Sequence, residues 1–221
     1  MSDEYIEVEI NCPKPRVFFK TTGVGQSPDQ IHAGSYHDAM ADAGVQGANL
    51  MSYTSILPAK LREVSVKAGM KAIEHGCEMK VIQAVSHIDL KDPKIKEAGI
   101  KRVSSAILYG WLQPSDNPTG PHVGGLVCEY GGHGTKDEAF ENLERCIKRI
   151  YTRVNKDGTR YEEKGELKIQ PMMYTSLEPK EQYGTALCAL AFVRYAISIP
   201  KQKIPPALAE LVKDQLVERG L

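Results

Sequence analysis

The residues best equipped for chemistry lie in "NLMSYTSILP", positions 49–58. Adjacent hydroxyls, Thr54 and Ser55, sit between apolar Leu50, Met51, Ile56 and Leu57, and the run stops at Pro58. Two fates are open to Ser55 in a tight strand-to-turn setting. Its hydroxyl can act as a hydrogen-bonding group only. Or its oxygen can attack the carbonyl carbon of Thr54, an N-to-O acyl shift that replaces the amide with an ester. β-Elimination of that ester leaves a dehydroalanine, which hydrolyses to a pyruvoyl group with loss of ammonia. The chain is then cut, and its second piece begins with a ketone. Such an end is a covalent electron sink, the task pyridoxal phosphate performs elsewhere.

Asn49, read alone, caps the loop that leads into the strand. One further residue could serve that chemistry. Glu129 lies in "GGLVCEYGG", where a glutamate is unexpected, because strands disfavour it and burying an ionised carboxylate is expensive. Either its side chain faces water, or it is a partly buried acid with a raised pKa, fit to deliver a proton to a carbanion.

These residues need elements to hold them. Residues 4–10 alternate as an edge strand, and "RVFFKTTGVGQSP" reads as a strand ending in a glycine turn at Gly23 and Gly25. Ser27, Pro28 and Gln30 form an N-cap, first-turn proline and capping box, so a helix is predicted to about Ala43, stopped by Gly44. Ala33, Tyr36, Met40 and Ala43 would form its buried face. Strands are predicted at 49–57, 78–87, 103–113 and 122–132, the last two joined by the turn "PSDNPTGP", with a charged connection at 89–102. Thr135 and Glu138 open a helix running to Val154, with Phe140, Leu143, Ile147, Ile150 and Val154 as its stripe. Two more strands, "LKIQPMMYTSLEP" and "YGTALCALAFVRYAI", and a short helix from Pro206 complete the chain. Many strands with two long helices indicate an α+β fold, with each helix able to cover one sheet in a helix-sheet-sheet-helix sandwich.

Bulk properties narrow the classes. The 221 residues fit a single domain, 1–221, with 42% hydrophobic and 25% charged residues. Lys plus Arg equals Asp plus Glu at 28 each, so no basic excess points to nucleic acid, and self-association meets little charge repulsion. No apolar run is long enough to span a membrane, and the acidic start "MSDEYIEVEI" is unlike a signal peptide. Five scattered cysteines without a CxxC pair point to reduced thiols and a cytoplasmic setting. His32 and His37 are five apart and no HExxH exists, so no metal is expected. The paired glycines Gly23 and Gly25 lack the third glycine of a dinucleotide loop; a turn, or contact of Gly25 with substrate backbone, fits them better.

The cleavage candidate resembles a known family. "NLMSYTSILP" is similar to the self-cleavage segment of pyruvoyl-dependent arginine decarboxylases, in which an asparagine, a Ser/Thr-Ser pair and Ile/Val-Leu/Met-Pro follow in that order. "TTGVGQS" resembles the glycine segment before that family's first helix, "GGLVCEYGG" its segment with the catalytic glutamate, and "KEQYGTALCALAFV" its last core strand. The matches keep family order across residues 17–195. The resemblance implies that Ser55 becomes the pyruvoyl group, that Thr54 ends a β chain of residues 1–54, and that an α chain spans 55–221. It implies roles for Asn49 in cleavage and for Glu129 as proton donor. It also implies a four-layer αββα sandwich and a trimer, or dimer of trimers, of αβ protomers, with active sites between subunits. No pyridoxal phosphate or metal would be needed. Arginine would give agmatine and carbon dioxide, in a setting of acid tolerance or polyamine supply.

The substrate pocket departs from the family. The arginine decarboxylases place an aspartate twelve residues before the asparagine matching Asn49, to receive the guanidinium. Here that position is His37, and Asp38 is one residue later, rotated by about 100° on a helix. "SYHD", 35–38, is also similar to the helix of pyruvoyl histidine decarboxylases, with one residue inserted. His37 is either a polar helix residue or a pocket residue better suited to a carboxylate or neutral side chain. Arginine is the best single expectation, with another amino acid such as histidine as the alternative. Two rivals stand beside these: a fold that has lost cleavage, and an amidohydrolase with a free N-terminal serine.

Overall fold

The computed structural model describes residues 12–117 and 119–197. The edge strand expected at 4–10 and the helix expected from Pro206 lie outside them. Residues Pro15–Arg194 make one compact unit that contains every candidate residue. It is mixed α and β, with two sheets and few helices.

The first sheet holds β1 (Lys14–Ser27), β2 (Asn49–Ser52), β4 (Arg62–Glu63), β5 (Glu78–Asp89) and β10 (Tyr183–Ala196), in the order β2-β5-β10-β1-β4. The second holds β3 (Ile56–Leu57), β6 (Val103–Gln113), β7 (Gly124–Gly132) and β8 (Glu166–Ile169), in the order β3-β7-β6-β8. β9 (Met173–Leu177) shares the free edge of β6 with β8. β5 and β10 are antiparallel from Tyr183–Asp89 to Ala191–Val81, whereas β2 joins β5 in parallel. "VSSAILYG", at the start of β6, is buried throughout, because it is covered on both faces, which explains its unbroken run of apolar and small residues.

One face of the second sheet packs Ala106, Leu108, Leu126 and Cys128 against Ala139, Leu143 and Ile147 of helix α4 (Lys136–Thr152). The outer face of the first sheet packs Phe19, Val81, Leu187 and Ala189 against Ala39 of α1 (His37–Asp42) and Ala43, its C-cap. The two sheets meet directly. Phe18 lies edge-on to Tyr109 at 6.3 Å, and the Ser105 hydroxyl donates to the Ala186 carbonyl at 2.8 Å. Phe18 is fully buried, a gain of roughly 1.5–3 kcal/mol for such a side chain.

Several expectations change. Gly23 and Gly25 do not form a turn; β1 continues through both to Ser27. They are small because α1 lies on that strand: a Cβ on Gly23 would sit 2.1 Å from the Ala39 carbonyl oxygen. Ser27 does not start a continuous helix. Its hydroxyl accepts from the Asp29 amide, and a π-turn over Ile31–Tyr36 breaks at Gly34 (φ −119, ψ −105) before α1 begins. The predicted stop at Gly44 is present (φ +71), with Val45 N–H on Met40 and Gly44 N–H on Ala41 closing a Schellman end. Strand 49–57 is two strands in different sheets. "LKIQPMMYTSLEP" is likewise two, interrupted near Pro171, which has no N–H for the ladder. The charged connection contains the short helix α3 (Pro93–Glu97), and α2 (Val66–Met70) was not foreseen. On α4 the Thr135–Glu138 capping box is formed, but the helix ends at Thr152, short of exposed Val154, and Phe140 is exposed while Ala139 takes the buried position.

Candidate active site

The chain changes sheets at Thr54–Ser55. β2 runs beside β5 as far as Ser52, and Tyr53 N–H still donates to the Val81 carbonyl at 2.7 Å. Two residues on, the Ser55 carbonyl accepts from Val127 N–H at 3.0 Å, the first rung of the β3–β7 ladder. Between these anchors Ile56 N–H donates to the Thr54 carbonyl at 2.8 Å. That i-to-i+2 bond makes a three-residue turn centred on Ser55, and since Ser55 does not have positive φ, the turn is of the inverse γ type. The carbonyl that Ser55 would attack is therefore already polarised by a fixed amide donor. Leu57, 1% exposed, anchors the far side, and Pro58 ends the strand.

Glu129 reaches the same point from β7. Leu126 and Cys128 face α4, so strand alternation turns Val127 and Glu129 to the opposite side. β3 covers β7 only at Gly125 and Leu126, which leaves Glu129 beyond the end of its short neighbour and open to solvent. The Ser55 hydroxyl donates to its carboxylate, 3.0 Å from each oxygen. Although the residue as a whole is exposed, the chain packed around its carboxyl removes enough water to raise its pKa above the ordinary glutamate value. The hydrogen bond from Ser55 acts in the opposite direction.

The other candidates lie elsewhere. Asn49 is at the far end of β2, about 10 Å of extended strand from Ser52. Its side-chain amide donates to the Gly76 carbonyl at 2.8 Å, capping the approach to β5. His37 and Asp38 are exposed in the first turn of α1, with no hydrogen bond to Ser55 or Glu129 among the described residues. Gly25 is buried in β1, where a Cβ would lie 2.2 Å from the Ser35 carbonyl oxygen and 2.7 Å from the Asp38 Cβ. It thus seats the segment that carries His37 and Asp38.

Sequence reasoning missed the groups that fix that segment. Asp42 accepts from Val24 N–H at 2.9 Å, and Thr21 donates to the Ala43 carbonyl at 2.7 Å. Ser35, Thr185 and His87 form a hydrogen-bonded chain with two 2.8 Å links, against which His32 and Tyr36 pack edge-on. Burial, and then the nearby His32, lower the His87 pKa. Polar residues at 35, 87 and 185 in otherwise apolar surroundings were the available signal.

Position 55 is held at three points: its carbonyl by Val127, its hydroxyl by Glu129, and the preceding carbonyl by Ile56. Among the described residues no cluster of three or more His, Cys, Asp or Glu is arranged to hold a metal ion, and no helix is long and apolar enough to cross a membrane. The model of the family described as pyruvoyl-dependent arginine decarboxylase matches residues 17–197. The chain belongs to that family. Among its relatives is the pyruvoyl-dependent arginine decarboxylase AaxB of Chlamydia caviae, 24% identical over 196 residues, covering 84% of this chain and 94% of that protein. AaxB of Chlamydia pneumoniae is 28% identical over 123 residues, 52% of this chain and 58% of its own length. A probable pyruvoyl-dependent arginine decarboxylase of Chloroherpeton thalassium is 26% identical over 134 residues, covering 60% of this chain and 69% of that protein. The chain thus spans between just over half and nearly all of these pyruvoyl-dependent arginine decarboxylase relatives.

Proposed function

We propose that this protein is a self-processing, pyruvoyl-dependent amino-acid decarboxylase that converts arginine to agmatine and carbon dioxide. The observation that carries the reading is the Ser55 hydroxyl on the Glu129 carboxylate, beside a Thr54 carbonyl already bound by Ile56 N–H. In the precursor, ionised Glu129 takes the hydroxyl proton as the Ser55 oxygen attacks the Thr54 carbonyl carbon. The Ile56 amide stabilises the developing oxyanion, a contribution of about 3–4 kcal/mol where such donors have been removed. The amide becomes an ester, elimination breaks the Cβ–O bond of residue 55, and Thr54 keeps that oxygen in its new carboxylate. Water then replaces the nitrogen of residue 55, which leaves as ammonia.

The pyruvoyl group so formed supplies a carbonyl electron sink for the pair of electrons left when carbon dioxide departs. Glu129, protonated more readily than an ordinary carboxyl, returns a proton to the substrate Cα, a step worth about 10²–10⁴-fold in rate. Val127 N–H keeps residue 55 in register beneath it. The guanidinium would be received by Asp38, with His37 beside it; both are exposed on α1 and would serve the site of a neighbouring subunit in a trimer or dimer of trimers. The packing of α1 on the first sheet and α4 on the second supports a four-layer αββα arrangement.

Intact mass of the purified protein tests the first half. Two pieces of 54 and 167 residues are expected from a cut before Ser55, the larger without a free amino end, with a single uncut chain from Ser55→Ala. A free amine on the larger piece would instead favour a serine-nucleophile hydrolase. Carbon dioxide release from a panel of amino acids tests the second half, and preference for histidine over arginine would overturn the substrate.

A further inference from the structure

The turn between β9 and β10, helix α3 and the Gly99–Lys101 segment line an open cavity of about 600 Å³, a size usual for small-molecule sites. None of the candidate active-site residues lines it. Its floor is apolar: Ile95 and Ile100 pack on the core cluster of Ile88, Val103 and Ala186, and Pro179 closes one side. Its rim is basic, with Lys96, Lys101 and Lys180. Among the described residues none of these three ammonium groups has a carboxylate partner. The one lining carboxylate, Glu178, is held by Arg102 at 3.1 Å. Unpaired cations around a low-dielectric floor concentrate positive potential there. Three ammonium groups against one neutralised carboxylate favour an anion over a cation at this rim.

We propose that this cavity is a second ligand site, for a small organic anion whose carboxylate or phosphate monoester faces the lysines and whose apolar body covers Ile95, Ile100 and Pro179. The proposal is independent of the decarboxylase reading, since it uses none of the same residues. Calorimetric titration of the purified protein with 2-naphthoate and 2-naphthyl phosphate tests it and tells which headgroup is preferred. The isosteric cation 2-naphthylmethylammonium tests the charge, and acetate tests the need for an apolar body. Both naphthyl anions should bind at least tenfold more tightly than the cation or acetate. Lys96→Ala combined with Lys101→Ala should weaken 2-naphthoate at least tenfold. Glu178→Gln should strengthen it about threefold or more, by removing the opposing carboxylate and releasing Arg102, a gain that a misfolded variant would not produce. Equal binding of the naphthyl cation, or 2-naphthoate affinity unchanged in the Lys96/Lys101 double variant or in Glu178→Gln, overturns the proposal.

Discussion

Gly25→Ala separates the two halves of the proposed mechanism. A Cβ at this position would lie 2.2 Å from the Ser35 carbonyl oxygen, 2.5 Å from the Ala39 amide nitrogen and 2.7 Å from the Asp38 Cβ. Two of these neighbours are backbone atoms, so no rotamer change relieves them. To reach the 3.0 Å that real contacts require, the π-turn and the start of α1 must retreat by about 0.8 Å. Overpacking of this kind costs about 1–3 kcal/mol. The retreat also stretches the Asp42–Val24 and Thr21–Ala43 bonds, now 2.9 and 2.7 Å, each worth about 0.5–1.5 kcal/mol net. Against this stands about 0.4–1 kcal/mol gained by stiffening the unfolded chain. A net loss of about 2–3 kcal/mol is expected, read from denaturant unfolding in the uncut Ser55→Ala background, where the protein is one chain. Self-cleavage in the Ser55 protein should change less than twofold, because Tyr53 and Ser55 are held by β5 and β7 rather than by α1. KM for the amino-acid substrate should rise about tenfold or more, with a smaller change in kcat. A stability loss below about 0.5 kcal/mol would refute the packing argument. Slowed cleavage with KM unchanged would refute the assignment of α1 to substrate binding.

Glu129→Gln removes both the base for Ser55 and the returning acid. Fragment formation should slow on gels followed over days, and decarboxylation by whatever processed material accumulates should fall about 10²–10⁴-fold. The pH dependence of the wild type carries opposite signs for the two steps. Cleavage needs the ionised carboxylate and is lost as pH falls through the Glu129 pKa; proton return needs the acid and is lost as pH rises through it. Burial raises that pKa while the Ser55 hydroxyl lowers it, and processing removes the hydroxyl. The decarboxylation midpoint should therefore lie at higher pH than the cleavage midpoint, measured as kcat of the processed enzyme against the processing rate of fresh precursor. Coincident midpoints, or the reverse order, would show that the Ser55 contact does not tune this carboxyl.

How far the sequence reached depended on whether the signal was local. α4 was legible because Thr135 and Glu138 announce its start by contacts three residues apart. β6 was legible because burial on two faces leaves a long apolar run. Ser55 and Glu129 are 74 residues apart, and only their separate oddities marked them: paired hydroxyls in one strand and a glutamate in another. The sheet switch at Thr54 was not legible, because "NLMSYTSIL" keeps strand-like composition across it. Gly23 and Gly25 were misread as a turn, because a glycine reports only that no side chain fits, and here the obstacle is a helix from later in the chain. The partner of Asn49, the Gly76 carbonyl, is 27 residues away, and no local rule identifies it. Phe140 was placed in the stripe by its spacing three residues before Leu143, whereas the buried row runs at four-residue steps through Ala139, Leu143 and Ile147.

The order of the first sheet, β2-β5-β10-β1-β4, has a consequence for the protein's later life. If the chain is severed before Ser55, β2 and β1 belong to the short piece and β5, β10 and β4 to the long one. Along the sheet ownership then alternates short, long, long, short, long. Neither piece can slide free without tearing out an interior strand, so the two fragments would stay together after the cut. A denatured precursor can find its way back alone, as a first-order event. The severed pair must meet in solution before it can rebuild the sheet, so its recovery would depend on concentration, and its persistence would rest on how slowly it comes apart.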